Sequence, residues 1–240
     1  LVSQLNAGEA RLSAAETYDD PAKEGKSLLE AAVQQFTDLS EKYDNRPQGA
    51  MALFSRGKIE QLLGKKDEAI SSYLRMLDQP DADSLREAKM GAAAGLVQIE
   101  LNETPPDYEE ALMHSEELVS SLRPNERSSQ AAQKLRLAVA KALVAKSQDE
   151  ENVKAAQRTR ATNDARKLLL EARKVGGDHL EETKSLLAEL GVDADSEEQV
   201  DLSTLAERPE SFSGALESAR QVMRSIQELE QQMEVLENQQ

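Results

Sequence analysis

Apolar residues in this chain return every three or four positions over long stretches, and proline, glycine or acidic clusters cut those stretches at intervals. That spacing puts one side of a 3.6-residue turn into a core, so the pattern predicts a succession of amphipathic helices. The first covers residues 2–17 and stops at Asp19-Asp20-Pro21, where Asp20 is placed to cap and Pro21 to open the next helix. The second reaches about residue 43 with Leu28, Ala32, Phe36 and Leu39 on one face. Pro47 opens a third that Gly64 closes, and a fourth ends before Pro80. A fifth, capped by Asp83 or Ser84, carries Gly91, Ala94, Gly95, Val97 and Leu101. A sixth spans 107–122 with Tyr108, Ala111, Leu112 and Leu118, and Pro124-Asn125 breaks the chain after it. A long seventh carries Ala131, Leu135, Ala138 and Ala142. An eighth carries Ala165, Leu168, Leu169 and Ala172 up to Gly176-Gly177, and a ninth covers about 179–190 and ends at Gly191.

The pattern changes after residue 191. Residues 192–208 are acidic and lack apolar periodicity, which predicts a linker with a short helical turn near Leu202. In residues 209–240 the spacing becomes strictly three-four: Phe212, Ala215, Ala219, Val222, Ile226, Leu229, Met233 and Leu236. Leu216 and Met223 broaden the stripe in the first half, whereas Glu230, Gln232 and Glu237 flank a narrow one in the second. A broad stripe suits docking on a protein body, and a narrow one suits a two-stranded coiled coil. Two arrangements stay open: a helix that docks at its start and pairs through Ile226, Leu229, Met233 and Leu236, or one that lies along the body as a terminal cap.

The helices repeat a signature. Ala32 with Phe36 one turn later recurs as Ala69 with Tyr73, 37 residues on, and Ala111 and Ala165 follow after a further 42 and 54 residues. A small residue followed by a ring suits the crossing of stacked helix pairs, and the uneven period implies insertions in the loops. With three Phe, four Tyr, no Trp and few β-branched residues, the composition favours helix and a thin core of Ala and Leu. The expected fold class is therefore all-α.

Residues 50–81 resemble the tetratricopeptide repeat family, a helix-turn-helix unit. Leu53 stands at the first large position, Gly57 at the small helix-crossing position and Gly64 in the turn, followed by Ala69, Tyr73 and, near the end, Pro80. Arg56 and Glu60 depart from the family's usual Leu and Tyr, and the flanking units match only in their second helices. The resemblance covers about residues 1–175 and is closer to the irregular helical-repeat proteins of bacterial envelopes than to a regular array. It implies an α-solenoid of antiparallel helix pairs in a right-handed superhelix, with about four pairs plus a capping helix over residues 1–191. It also implies a concave groove lined by the first helix of each pair, and places Met51, Phe54, Lys58 and Gln61 there.

Charge narrows the partners. A net charge of −16 opposes a nucleic-acid duplex. Residues 130–175 nonetheless carry eleven Lys and Arg against five Asp and Glu, a local +6. Lys141, Lys154, Arg158, Arg166 and Arg173 then form either a solvated helix face or a docking face for an acidic partner or for the chain's own acidic end.

Chemistry is sparse. There is no cysteine, and His114 and His179 are 65 residues apart, so no metal or cofactor is expected. Gly25-Lys26-Ser27 lacks the first glycine and preceding strand of a phosphate loop, and Asp193-Ala194-Asp195 lacks the glycine and bidentate glutamate of a calcium loop. No apolar run is long enough to span a membrane. The chain starts at Leu1 rather than at a methionine, from which we expect a longer parent with a leader or anchor and favour an envelope location over the cytoplasm. The functional expectation is a non-enzymatic scaffold that binds a peptide or protein segment in the groove. The alternative is an assembly subunit that oligomerises through the final helix.

Overall fold

A computed structural model of the chain describes residues 1–177 and 179–192, which fall in a compact unit, Leu1–Ala194. The helix-pairing residues Ile226, Leu229, Met233 and Leu236, like the expected linker and final helix, lie outside the described residues. Those described are helical, with no strand among them. The order is α1 (Val2–Ala15), α2 (Lys26–Lys42), α3 (Pro47–Leu62), α4 (Lys66–Leu77), a 3-10 turn (Asp83–Leu85), α5 (Arg86–Leu101), α6 (Tyr108–Met113), α7 (Glu116–Ser120), α8 (Gln130–Gln148), α9 (Ala155–Val175) and α10 (Leu180–Glu189).

Local chemistry sets most of the boundaries. Pro47 occupies the first turn of α3, Asp107 accepts from the Glu109 and Glu110 amides at the start of α6, and Ser129 accepts from the Ala132 amide at the start of α8. Between α3 and α4 the chain turns at Gly64 with φ +71°, and the Lys65 amide reaches back to the Glu60 carbonyl at 2.8 Å, a closure that a left-handed residue permits. Two expected boundaries are corrected. Asp20 holds the Lys23 amide in an isolated turn, and α2 starts only at Lys26. The single helix expected over 107–122 is two, because the buried Ser115 directs both its amide and its hydroxyl at the Leu112 carbonyl and tightens the chain there.

Packing follows a simple scheme. Helices α1, α3, α5, α8 and α10 form one row in which each touches the next, and α2, α4, α6–α7 and α9 pack on the row helices before and after them. The core is mostly Ala and Leu, with Phe36 and Tyr73 among its largest fully buried side chains. Each ring faces a glycine. A Cβ on Gly8 would come within 2.5 Å of the Phe36 ring, and Cβ atoms on Gly57 and Gly95 would come within 2.6 and 2.5 Å of opposite edges of the Tyr73 ring. Tyr73 of α4 is thus wedged between α3 and α5, and the absence of two side chains makes room for it.

Two buried ion pairs reinforce this body. Glu60, which stands where the resemblance leads one to expect a large uncharged residue, is buried but satisfied, accepting from Arg56 Nε and from Ser72 Oγ, each at 2.6 Å. Arg86, the first residue of α5, directs its Nε and Nη2 at the two carboxylate oxygens of Glu126, with the Nη2 bond at 3.0 Å. Glu126 also accepts from the Arg123 amide, so the pair ties the start of α5 to the segment between α7 and α8.

Candidate functional site

The row of helices opens on a cleft of about 380 Å³. From α3 come Phe54, Lys58 and Gln61, and from α5 come Gly91, Ala94, Gly95 and Gln98, in each case positions three or four apart on one helical face. Helix α8 adds Lys134, Leu137, Ala138 and Lys141 with the same spacing. Glu16 closes one side, and His179 with Glu182 the other. The floor is low because α5 presents glycine and alanine, and aromatic rings fill the space: Phe54 lies against Gly91, and its ring centre is 6.4 Å from that of Tyr73.

Polar groups line the centre. The Tyr73 hydroxyl donates to Gln61 Oε1 at 2.8 Å, and Gln61 Nε2 donates to Gln98 Oε1 at 3.4 Å. Burial, helped by the nearby Glu60 charge, pushes the Tyr73 phenol far above its usual range, so it remains a donor at neutral pH. Lys58 sits 3.8 Å from Glu16, Lys141 pairs with Glu182, and His179 Nδ1 lies 3.9 Å from the same glutamate. The walls carry three lysines and two glutamates, a slightly basic lining on a strongly acidic chain.

Of the residues singled out in the sequence, Phe54, Lys58 and Gln61 meet in this cleft, together with Lys141 from the basic segment. Met51 is not among its lining and packs instead beside the core between α3, α4 and α5. The other basic residues stand elsewhere. Lys154 precedes α9, Arg158 is 2.7 Å from Glu150, and Arg166 donates to the Leu190 carbonyl. Arg173, in the last turn of α9, is also engaged within the fold.

Sequence reasoning did not assign Lys134, Leu137, Gln98, Glu16 or Glu182 to the site. A usable signal was present in the matching three-four spacing of Gly91-Ala94-Gly95-Gln98 and Lys134-Leu137-Ala138-Lys141, in phase with Phe54-Lys58-Gln61. Among the described residues no group of His, Cys, Asp or Glu is placed to hold a metal ion, and no helix is long and apolar enough to cross a membrane. No family model, curated protein or solved structure matches this chain.

Proposed function

We propose that this chain is a tetratricopeptide-like α-solenoid of antiparallel helix pairs, a right-handed array that acts as a non-enzymatic scaffold and binds a peptide or protein segment in the cleft along its row helices. The observation that carries the reading is the convergence of one face each of α3, α5 and α8 on a single open cleft with small residues at its floor. The amides of Gln61 and Gln98 at its centre offer donors and acceptors to a partner's backbone. Phe54 supplies an apolar anchor point and the three lysines favour carboxylates on the partner.

The test is selection of random twelve-residue peptides displayed on phage against the full chain, followed by titration of synthetic copies of those enriched. Lys134 is exposed and has no ion pair among those described, which makes Lys134→Glu the cleanest probe. Lys134→Glu combined with Lys58→Glu is expected to weaken peptide binding by about tenfold or more, from a lost attraction replaced by repulsion. Phe54→Ala is expected to weaken it by a similar factor. Peptides that bind all three variants as tightly as the parent, or no enrichment over an unrelated protein, would defeat the reading.

A further inference from the structure

A second cleft lies on the other side of α8. Helix α7 is short and buries no residue, and between it and α9 an opening of about 420 Å³ reaches down to α8 side chains that are themselves almost fully buried. Arg136, Val139 and Leu143 form its floor, one turn apart in succession, and Leu168 and Glu171 stand on the α9 wall. Leu143 also lines an adjoining hollow with Lys146, so the track follows α8 for ten residues, about 15 Å.

Arg136 is the unusual member. It is as thoroughly buried as Arg86, at 3% against 6% exposure, yet the two are served differently. The Nε–Nη2 edge of Arg86 is filled by both oxygens of Glu126. In Arg136 only Nη1 is satisfied, donating to the Arg127 carbonyl at 2.8 Å. Its Nη2 is 3.8 Å from Glu171, too far for a hydrogen bond, and its Nε has no partner. A buried guanidinium with its bidentate edge unfilled carries a desolvation cost that a carboxylate would offset. Burial accordingly works against the charged form of Arg136, and Glu171 offsets this only in part.

We propose that this cleft binds an acidic segment of a partner protein, with an Asp or Glu carboxylate on the unfilled Nε–Nη2 edge of Arg136 and an adjacent apolar side chain on Val139, Leu143 and Leu168. Arg127 and Lys167 on the same lining offset Glu116 and Asp164, so the preference for a carboxylate rests on the unfilled edge of Arg136. An extended peptide is the occupant that matches a track of this length floored by both a cation and aliphatic side chains. Because Nε is closed to water, the incoming carboxylate takes its place by displacing Glu171, whose side chain is 48% exposed and free to swing outward. The site is separate from the row cleft, and no residue lines both.

The test follows the Nε–Hε signal of Arg136 and the methyl signals of Val139, Leu143 and Leu168 by NMR in the full chain. Three probes are titrated: a blocked leucyl-glutamyl-leucyl amide, its glutaminyl counterpart and sodium acetate. The glutamyl peptide is expected to shift all four signals saturably, and the glutaminyl peptide and acetate to bind at least about tenfold more weakly, the worth of one charge-assisted bidentate contact. Glu171→Gln removes the internal competitor at the surface and is expected to tighten the glutamyl peptide severalfold, whereas Arg136→Lys loses it. No saturable shift, an equal response to the glutaminyl peptide or acetate, or a Glu171→Gln variant that binds no tighter each overturns the proposal. The Cε signals of Lys58 and Lys134 are followed as a control, and shifts confined to them would overturn it as well, since they would place the peptide in the row cleft.

Discussion

Tyr73→Ala is expected to cost about 4 kcal/mol of folding stability, read from the urea midpoint at constant slope. The side chain is 1% exposed and bridges α3 and α5, so its removal empties the crossing of three helices. Most sites that lose a ring relax partly as neighbours lean in; here the facing positions on both sides are Gly57 and Gly95, with nothing to lean. The effect is therefore the full cost of an aromatic truncation, against a total stability of about 5–15 kcal/mol for a typical domain. A companion measurement separates packing from backbone effects. Gly57→Ala forces a methyl to within 2.6 Å of the ring and is expected to cost about 2 kcal/mol in the parent. In the Tyr73→Ala background the same change should cost nothing or stabilise slightly, because the clash is gone and alanine is the better helix former by about 1 kcal/mol. Equal costs in both backgrounds would show that the ring and the glycine are not coupled.

The second large effect is at Arg86. Arg86→Ala leaves the Glu126 carboxylate, 12% exposed, without its bidentate donor, and a loss of about 3 kcal/mol is expected for a truncated buried pair. The pair also gives stability a pH dependence whose sign is fixed. The bond from Arg86, aided by the Arg123 amide, holds the Glu126 carboxyl below its ordinary value of 4.5. A depressed carboxyl contributes stability that is complete above the unfolded value and disappears as pH falls through the folded one. The advantage of the parent over Glu126→Gln should thus be full at neutral pH, begin to shrink as pH drops past about 4.5 and vanish below the depressed value. Paired urea titrations from pH 7 to pH 3 measure it. A difference that stays constant across that range would contradict the assigned role.

How much of this was legible depended on whether a residue's role was local. Pro47 and Gly64 announce a start and a stop because their backbone preferences act on their own turn, and the structure has helix boundaries at both. Gly57 was readable as a small position at a helix crossing and Ala69 with Tyr73 as a small-and-ring pair, although the sequence does not say that Gly57 and Gly95 meet the Tyr73 ring from two sides. Ser115 was invisible inside an otherwise continuous apolar spacing, since whether its hydroxyl turns inward is decided by its complete burial. In the cleft, Phe54, Lys58 and Gln61 followed from one helix, but Lys134 and Gln98 needed the arrangement of three. Arg136 shows the limit most plainly. Counted along the chain it is one of eleven basic residues in a charged stretch, and its 3% exposure depends on how α8 packs against its neighbours.

The position of Tyr73 has an optical consequence. The chain has no tryptophan, and Tyr18, Tyr43 and Tyr108 are all at least partly exposed. The only fully buried tyrosine is therefore the one whose hydroxyl reaches the floor of the row cleft through Gln61. Near-ultraviolet circular dichroism of this protein should be dominated by a single chromophore that has its ring in the core and its oxygen at the binding surface. A ligand that takes the Gln61 amide for itself would register in that band without any label.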